Sequence, residues 1–396
     1  MSDTQSPRPT VKIRPGKGRR LAEGAPWAYA DEIAMDRRTK ALAPGSIVRL
    51  AEGERMLGTA AFNPESQIAA RLLDPDPEAE IGRDWFAARL RAALSLRERL
   101  YDSPHYRLVH AEGDGLPGVV IDRFGDALAL QPNAAWADAR LADLMDAAQE
   151  VTGAANIVVN AASRVRTLEG LSEYTETARG TVDGSLPVPM NGATYMADLI
   201  GGQKTGLFYD QRPNHAFAAR LAGGARVLDL FCHVGGFGLA ALAGGAEHVL
   251  AVDSSAPALA LAEEGAKRSG VDARFETRKS DAFAALEGLA GERFGVVVSD
   301  PPAFAPNKGA LRNGLRAYEK LARLAAPLVE PGGYLVLCSC SHAADTESFH
   351  RASSAGILAA GRHGALINSG RAGPDHPAHL ALPETSYLKA LVYRLT

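Results

Sequence analysis

Cysteine is scarce in this 396-residue chain, which carries only Cys232, Cys338 and Cys340. Three thiols are too few for a disulfide framework and do not match zinc spacing, so no metal is expected. Each is either a small core residue or a reactive group. Long apolar runs are also missing. Nothing approaches the roughly 20 residues of a membrane span, and no membrane partner is expected. The N-terminus is polar and proline-rich, without the apolar core of a signal peptide, which predicts a cytoplasmic protein. No sign of charge dominates: the net value is −3, which gives no whole-chain argument for nucleic acid. Locally, Lys12, Arg14, Lys17, Arg19 and Arg20 crowd together, either as a solvated face or as a phosphate-binding one. What is present is ordinary globular material, 46% hydrophobic and 22% charged, long enough for two or three domains.

Residues 1–10 read as a disordered tail. From Val11 to about Leu73 the segments are short and punctuated by turns such as Pro44-Gly45 and Asn63-Pro64, predicting a small, mostly β barrel with Trp27 as its core aromatic. Asp84 then caps a helix to about Tyr101. Arg97 falls in its apolar stripe, with the stem expected to pack and the head to reach water. Strands at Tyr106–Ala111, Gly118–Arg123, Ala127–Gln131 and Ile157–Ala161, with a helix from Asp138 to Val151, make an α+β unit. Asp114 and Arg123 there suit a cleft as well as they suit turn chemistry and surface charge. After a hairpin at Val188–Asp198, strands and helices alternate from Ala225 to the end. That is a doubly wound parallel sheet, closed by an antiparallel strand.

Gly295-Val-Val-Val-Ser-Asp-Pro-Pro-Ala-Phe304 is central to this sheet. Its three valines predict a strand buried on both faces, and the prolines stop it because they cannot donate to the ladder. Asp300 and Phe304 are thereby held at the carboxyl edge, where open α/β sheets bind ligands. Upstream, Val227-Leu-Asp-Leu-Phe-Cys-His-Val-Gly-Gly-Phe-Gly238 reads as strand, glycine turn and helix start, and Asp253 closes the next strand. This is nucleotide-binding logic, yet the nicotinamide fingerprint G-x-G-x-x-G is absent. An acid at the strand end, Asp229, favours a ligand without pyrophosphate. S-adenosylmethionine fits, with Asp253 on the ribose and Asp281 either near the adenine or simply a helix N-cap.

Tyr334-Leu-Val-Leu-Cys-Ser-Cys-Ser-His342 is a strand expected beside the one carrying Asp300. Period-two geometry puts Cys338 and Cys340 on one side, Cys340 nearer the ligand edge. A thiolate adding to carbon 6 of a pyrimidine makes carbon 5 nucleophilic enough to accept a methyl group. The bland alternative is a pair of inert buried cysteines. Cys232 reads as packing. His233, His342 and His376 read as loop or supporting residues.

These motifs in combination resemble the bacterial large-subunit ribosomal RNA 5-methylcytidine methyltransferase I family, over nearly the whole chain. The similarity is carried by Gly202-Gln-Lys-Thr-Gly206 with Asp210-Gln-Arg212, by Asp229-Leu-Phe231 with Gly235-Gly-Phe237, and by Asp300-Pro-Pro-Ala-Phe304. Ser339-Cys-Ser341 and Pro383-Glu-Thr-Ser-Tyr-Leu-Lys389 add to it. The resemblance implies a PUA-like domain at 11–75, a central α+β domain at 80–185, and a Rossmann-like class I methyltransferase domain at 186–396. It implies that Gln203, Lys204, Thr205, Phe208 and Asp210 enclose S-adenosylmethionine from one side, and Asp229, Phe231, Gly235 and Asp253 from the other. Asp300, Pro301, Pro302 and Phe304 would hold a flipped base, with Cys340 as nucleophile. The partner implied is RNA, with the oligomeric state open and a homodimer possible. Two departures stand out: Cys232-His-Val234 where members often carry Ser-Tyr-Thr, and His215 where they often carry Arg. The rival readings are methylation of an exocyclic amine, which needs no thiol, and a non-catalytic RNA-binding assembly factor.

Overall fold

The computed structural model describes residues 8–202 and 205–396. Two compact units are present: one runs to Asp183 and takes in Asp375–Thr385, the other comprises Gly184–Pro374 and Ser386–Thr396.

The first unit holds two five-stranded sheets. The N-terminal sheet is ordered Thr10–Ile13, Ser46–Glu52, Arg55–Phe62, Ala70–Asp74, Trp27–Ala28. Along Ser46–Glu52, Val48 and Leu50 are fully buried while Arg49 between them is not, the alternation of a strand with one face on a core. Gly58 sits between the bulges of this sheet with φ of +138°, and a Cβ there would lie 2.2 Å from the Asp74 carbonyl oxygen, so no other residue fits. Two expectations change. Arg8, placed in a disordered tail, is anchored through its guanidinium to Thr59 Oγ1 and the carbonyls of Pro77 and Ala79. Trp27 is half-buried, its indole N–H donating to Glu112 Oε1 at 3.0 Å; the large aromatic at the centre of this core is Phe62.

The second sheet is ordered Thr175–Arg179, Asn156–Asn160, Ala127–Pro132, Val119–Phe124, His105–His110. Helices Arg83–Leu100 and Leu141–Thr152 accompany it, and Phe86 stacks on Trp136 at 5.7 Å within the core. Arg97 is the clearest correction. Its head does not reach water: the residue is fully buried and its guanidinium clasps both Asp114 oxygens, at 2.6 and 2.7 Å. Asp114 is therefore spoken for by structure. Arg123 likewise donates to the carbonyls of Gly125 and Thr152.

The second unit opens with the hairpin Leu186–Met190 and Ala193–Ala197 and then builds a seven-stranded sheet. Its strands are β1 (Arg226–Leu230), β2 (His248–Asp253), β3 (Phe275–Lys279), β4 (Phe294–Ser299), β5 (Val329–Ser339), β6 (Gly364–Gly370) and β7 (Lys389–Leu395). They are ordered β3-β2-β1-β4-β5-β7-β6, parallel from β3 through β5, with β7 antiparallel to both its neighbours. Helices α1 (Arg212–Ala219), α2 (Gly236–Ala243), α3 (Ala256–Arg268), α4 (Ala282–Gly288), α5 (Leu311–Ala325) and α6 (Thr346–Ala359) connect them. Val296, Val297 and Val298 of β4 are all essentially inaccessible, as a β-branched run covered on both faces requires. The expected α/β architecture, a doubly wound sheet after a small β domain and an α+β region, is what the chain adopts. Strand order reverses between β1 and β4, so the ligand crevice lies at their carboxyl ends.

Candidate functional site

Register fixes what meets at that edge. Asp229 on β1 lies opposite Val298, and Leu230 opposite Ser299, so Asp300 follows directly; its N–H donates to the Leu230 carbonyl at 3.3 Å. Ser299 in turn lies opposite Leu337 of β5, which puts Cys340 just past the strand end on the neighbouring side.

The β1–α2 turn is strained. Phe231 and His233 hold φ values of 60° and 49°, and Gly235 one of 83°. Non-glycine residues in that region cost energy and persist where the surroundings enforce them. Here the enforcement is visible: Asp253 Oδ2 accepts the His233 N–H at 2.9 Å, its Oδ1 accepts Ser255 N–H at 2.8 Å, and Cys232 N–H donates to Val252. Asp253 thus ties the turn to the end of β2. At Gly238 an added Cβ would stand 2.9 Å from Val249 Cγ1; its absence lets the Gly238 N–H reach Asp229 Oδ2 at 2.8 Å.

Asp229 is fully buried, and its second oxygen, Oδ1, has no hydrogen-bond partner among the described residues. Burial pushes its carboxyl up to about 8; the Gly238 bond pulls the other way, while Asp300 and Asp253 add to the rise. A buried oxygen of this kind suits a cationic donor such as the ammonium of an amino-acid ligand. Asp210 stands just before α1. It is buried, its carboxylate accepts the Tyr387 hydroxyl, and its carbonyl accepts Gly373 N–H at 2.9 Å. Thr205 is buried, and Phe208 lies edge-on to His233 at 4.9 Å. Gln203 and Lys204, also expected here, lie outside the described residues. Asp281 caps α4, its Oδ1 accepting from Phe283 and Ala284.

On the β4 side, Gln211 Nε2 donates to Asp300 Oδ2 at 2.9 Å, and Gln211 is itself oriented by Asn214 Nδ2 at 2.7 Å. Neither residue carried a role in the sequence reading, although the Asp210-Gln-Arg212 run just before α1 contains the signal. Pro301 is buried and Pro302 exposed. Phe304 is half-buried, its ring 4.9 Å from Tyr318 and 6.4 Å from Phe283. Beneath it runs a hydroxyl cluster that sequence alone did not reveal. Ser339 Oγ donates to Tyr318 Oη at 2.9 Å, Tyr318 Oη meets Ser341 Oγ at 2.8 Å, and Ala305 N–H donates to Ser341 Oγ at 2.9 Å. Of the two neighbours of Cys340, Ser341 is therefore pinned to the loop that follows the prolines and Ser339 to Tyr318 of α5.

The three cysteines differ sharply. Cys232 and Cys338 are buried and burial holds both thiols well above their ordinary range, whereas Cys340 is partly exposed. His215 is buried between Tyr195 and Phe237, and burial lowers it to about 3, so it is a neutral ring packed behind the turn, not a stand-in for an arginine. His376 belongs to the first unit, buried with Nδ1 2.9 Å from Asp375 Oδ1.

A reversed parallel sheet with acids at the ends of β1 and β2 is a nucleotide-binding architecture, and residues 172–362 match the S-adenosylmethionine-dependent methyltransferase family, which sets the class. Residues 11–75 match the PUA-like domain. The chain is 35% identical to the ribosomal RNA large subunit methyltransferase I of Shewanella denitrificans, over 97% of this chain and 99% of that protein. It is 36% identical to the enzyme of the same name from Tolumonas auensis, with the same coverage of each. A solved structure described as a methyltransferase complexed with SAH superposes with a TM-score of 0.82 at 19% identity, covering 98% of this chain and all of that one. The chain belongs to the ribosomal RNA large subunit methyltransferase I family, and its cofactor is S-adenosylmethionine.

Proposed function

We propose that this methyltransferase forms 5-methylcytidine in large-subunit ribosomal RNA through a covalent adduct with Cys340. The observation that carries the reading is the contrast among the thiols: the one partly exposed cysteine stands at the β5 edge, one strand from Asp300, between two anchored serines. The relatives' names support ribosomal RNA as substrate. So does the cluster of exposed Lys12, Arg14, Lys17, Arg19 and Arg20 on the PUA-like domain, which suits phosphate contacts.

Asp229, Asp253 and Asp210 would hold the cofactor, with Thr205, Phe208, Phe231 and Gly235 around it. Bound there, S-adenosylmethionine supplies an electrophilic methyl group on its sulfonium. The chain's own part begins with a cytosine flipped out of its stack. Asp300, held in place by Gln211, would accept from the amino edge of the base, while Pro301 and Pro302 keep the loop rigid and Phe304 offers a flat apolar surface. The Cys340 thiolate would add to carbon 6, turning carbon 5 into a nucleophile; once carbon 5 carries the methyl, loss of its proton to solvent restores the 5,6 double bond and expels the thiolate.

Cys340→Ser tests this. The variant should bind S-adenosylhomocysteine like the wild type, yet lose methylation and any covalent trap with 5-fluorocytidine RNA. Methylation of an exocyclic amine needs no thiol, so a fully active variant would replace the present reading by that one. Nucleoside mass spectrometry identifies the product.

A further inference from the structure

Lys389 has been assigned nothing, although it ends the Pro383–Lys389 run and opens β7. Its backbone lies opposite Ser339 of β5. From there the side chain runs along the strand end and its Nζ donates to the Ser341 carbonyl at 2.7 Å. It therefore extends from the level of residue 339 to that of residue 341, with Cys340 between. An ammonium is rarely buried, yet Lys389 is only 6% exposed. A hydrogen bond to a neutral carbonyl does not balance a buried charge.

We propose that Lys389 is a positioning residue that holds the Cys340 sulfur as a thiolate, ready to add to the base. The inference rests on the thiol mechanism proposed above and adds to it the group that activates the thiol. On ionisation the thiol proton leaves to solvent, and the sulfur's charge is retained beside the ammonium. The electrostatics agree with the geometry. Burial lowers Lys389 to about 8, and the Cys340 sulfur and Asp345 both act to raise it, so lysine and thiolate stabilise one another. Other groups face the pair. Tyr318 of α5 is a phenol whose ionisation burial pushes up, and Asp300 at the end of β4 contributes an opposing negative field felt at Cys338. His342 is exposed, its ring 5.4 Å from Tyr387. Among these, Lys389 is the buried cation. A nearby cation lowers a thiol's pKa and raises its reactive fraction.

The test is the pH profile of alkylation by iodoacetamide, followed at the Cys340 peptide by mass spectrometry to separate it from the buried Cys232 and Cys338. In the wild type the midpoint should lie below the ordinary thiol value of about 8.5. Lys389→Met should raise it by about one unit and slow alkylation at pH 7 about tenfold, with Lys389→Arg restoring most of the rate. S-adenosylhomocysteine binding reports that each variant is folded. A wild-type midpoint at or above the ordinary value, or one unmoved in Lys389→Met, overturns the proposal; the wild-type measurement needs no variant to fold. A low midpoint together with an active Cys340→Ser enzyme would remove the methylation mechanism but leave this pairing standing. An ordinary midpoint with an inactive Cys340→Ser enzyme would do the reverse.

Discussion

Two buried polar clusters, one in each unit, use the same residue types to opposite ends. In the first unit every buried acid among the described residues meets a cation or a full set of donors. Arg97 clasps Asp114 and also donates to the carbonyls of Arg107 and Asp375. Arg107 pairs with Asp122, and its N–H reaches Asp375 Oδ2 at 3.0 Å. Burial would push Asp375 up, but the bonds from His376 and Arg107 outweigh it and hold the carboxyl below its usual range. His110 beside them is driven down to about 2, first by burial and then by the His376 ring and the arginines, so it stays neutral. In the second unit Asp229 is equally buried, yet among the described residues it has one backbone donor, one oxygen without a partner and a carboxyl raised to about 8. Buried acids paired within the protein hold the chain together; in the function proposed above, the buried acid left incomplete is the one that meets the cofactor.

Breaking the first cluster should give the largest effect. Arg97→Met strands Asp114 without its cation and should cost about 3–5 kcal/mol in urea unfolding, while the protein that is still folded binds S-adenosylhomocysteine normally. A cost under 1 kcal/mol would mean that the pairing is not what holds this region.

Asp229→Asn should act the other way round. Calorimetry should show cofactor affinity falling about tenfold or more, with no loss of ligand-free stability. The sign follows from linkage. The folded value near 8 lies above the ordinary 3.8, so the native state holds a proton that the unfolded chain has released between those limits. Ligand-free stability should therefore decline as pH rises from about 4 to about 8, and Asp229→Asn should remove that decline. Melting curves at pH 5 and pH 8 compare the two; a wild type equally stable at both, relative to the variant, would contradict the assignment.

Smaller effects sharpen the same contrast. Gln211→Leu removes the donor that orients Asp300, and steady-state kinetics should show methylation about tenfold slower with cofactor binding unchanged. Smallest is Asp281→Ala, which removes the α4 cap and should cost about 1 kcal/mol of stability. A loss of cofactor affinity exceeding that destabilisation would instead place Asp281 at the ligand.

How much of this was legible in the chain differs by element. The valine run and the two prolines of Gly295–Phe304 determined a buried strand ending at an acid, because β-branching, a missing N–H and a fixed φ are local properties. The offset between Asp229 and Asp253 likewise marked two successive strand ends, since alternating strands and helices have characteristic lengths. Arg97 shows the limit. Its place in an apolar stripe was visible, but sequence could not supply Asp114 and Asp375, the second lying 278 residues away, and so its head was expected in water. Lys389 is the same case: nothing local marks it, because β7 returns antiparallel beside β5 from the end of the chain. Gln211, Tyr318 and the paired serines act only through partners brought together by the sheet. By itself the sequence determined the strands, their abrupt ends and the chemical groups at the carboxyl edge. Only the tertiary structure decided which buried acids are matched within the protein and which are not, because burial and pairing depend on residues that are neighbours in space and not along the chain.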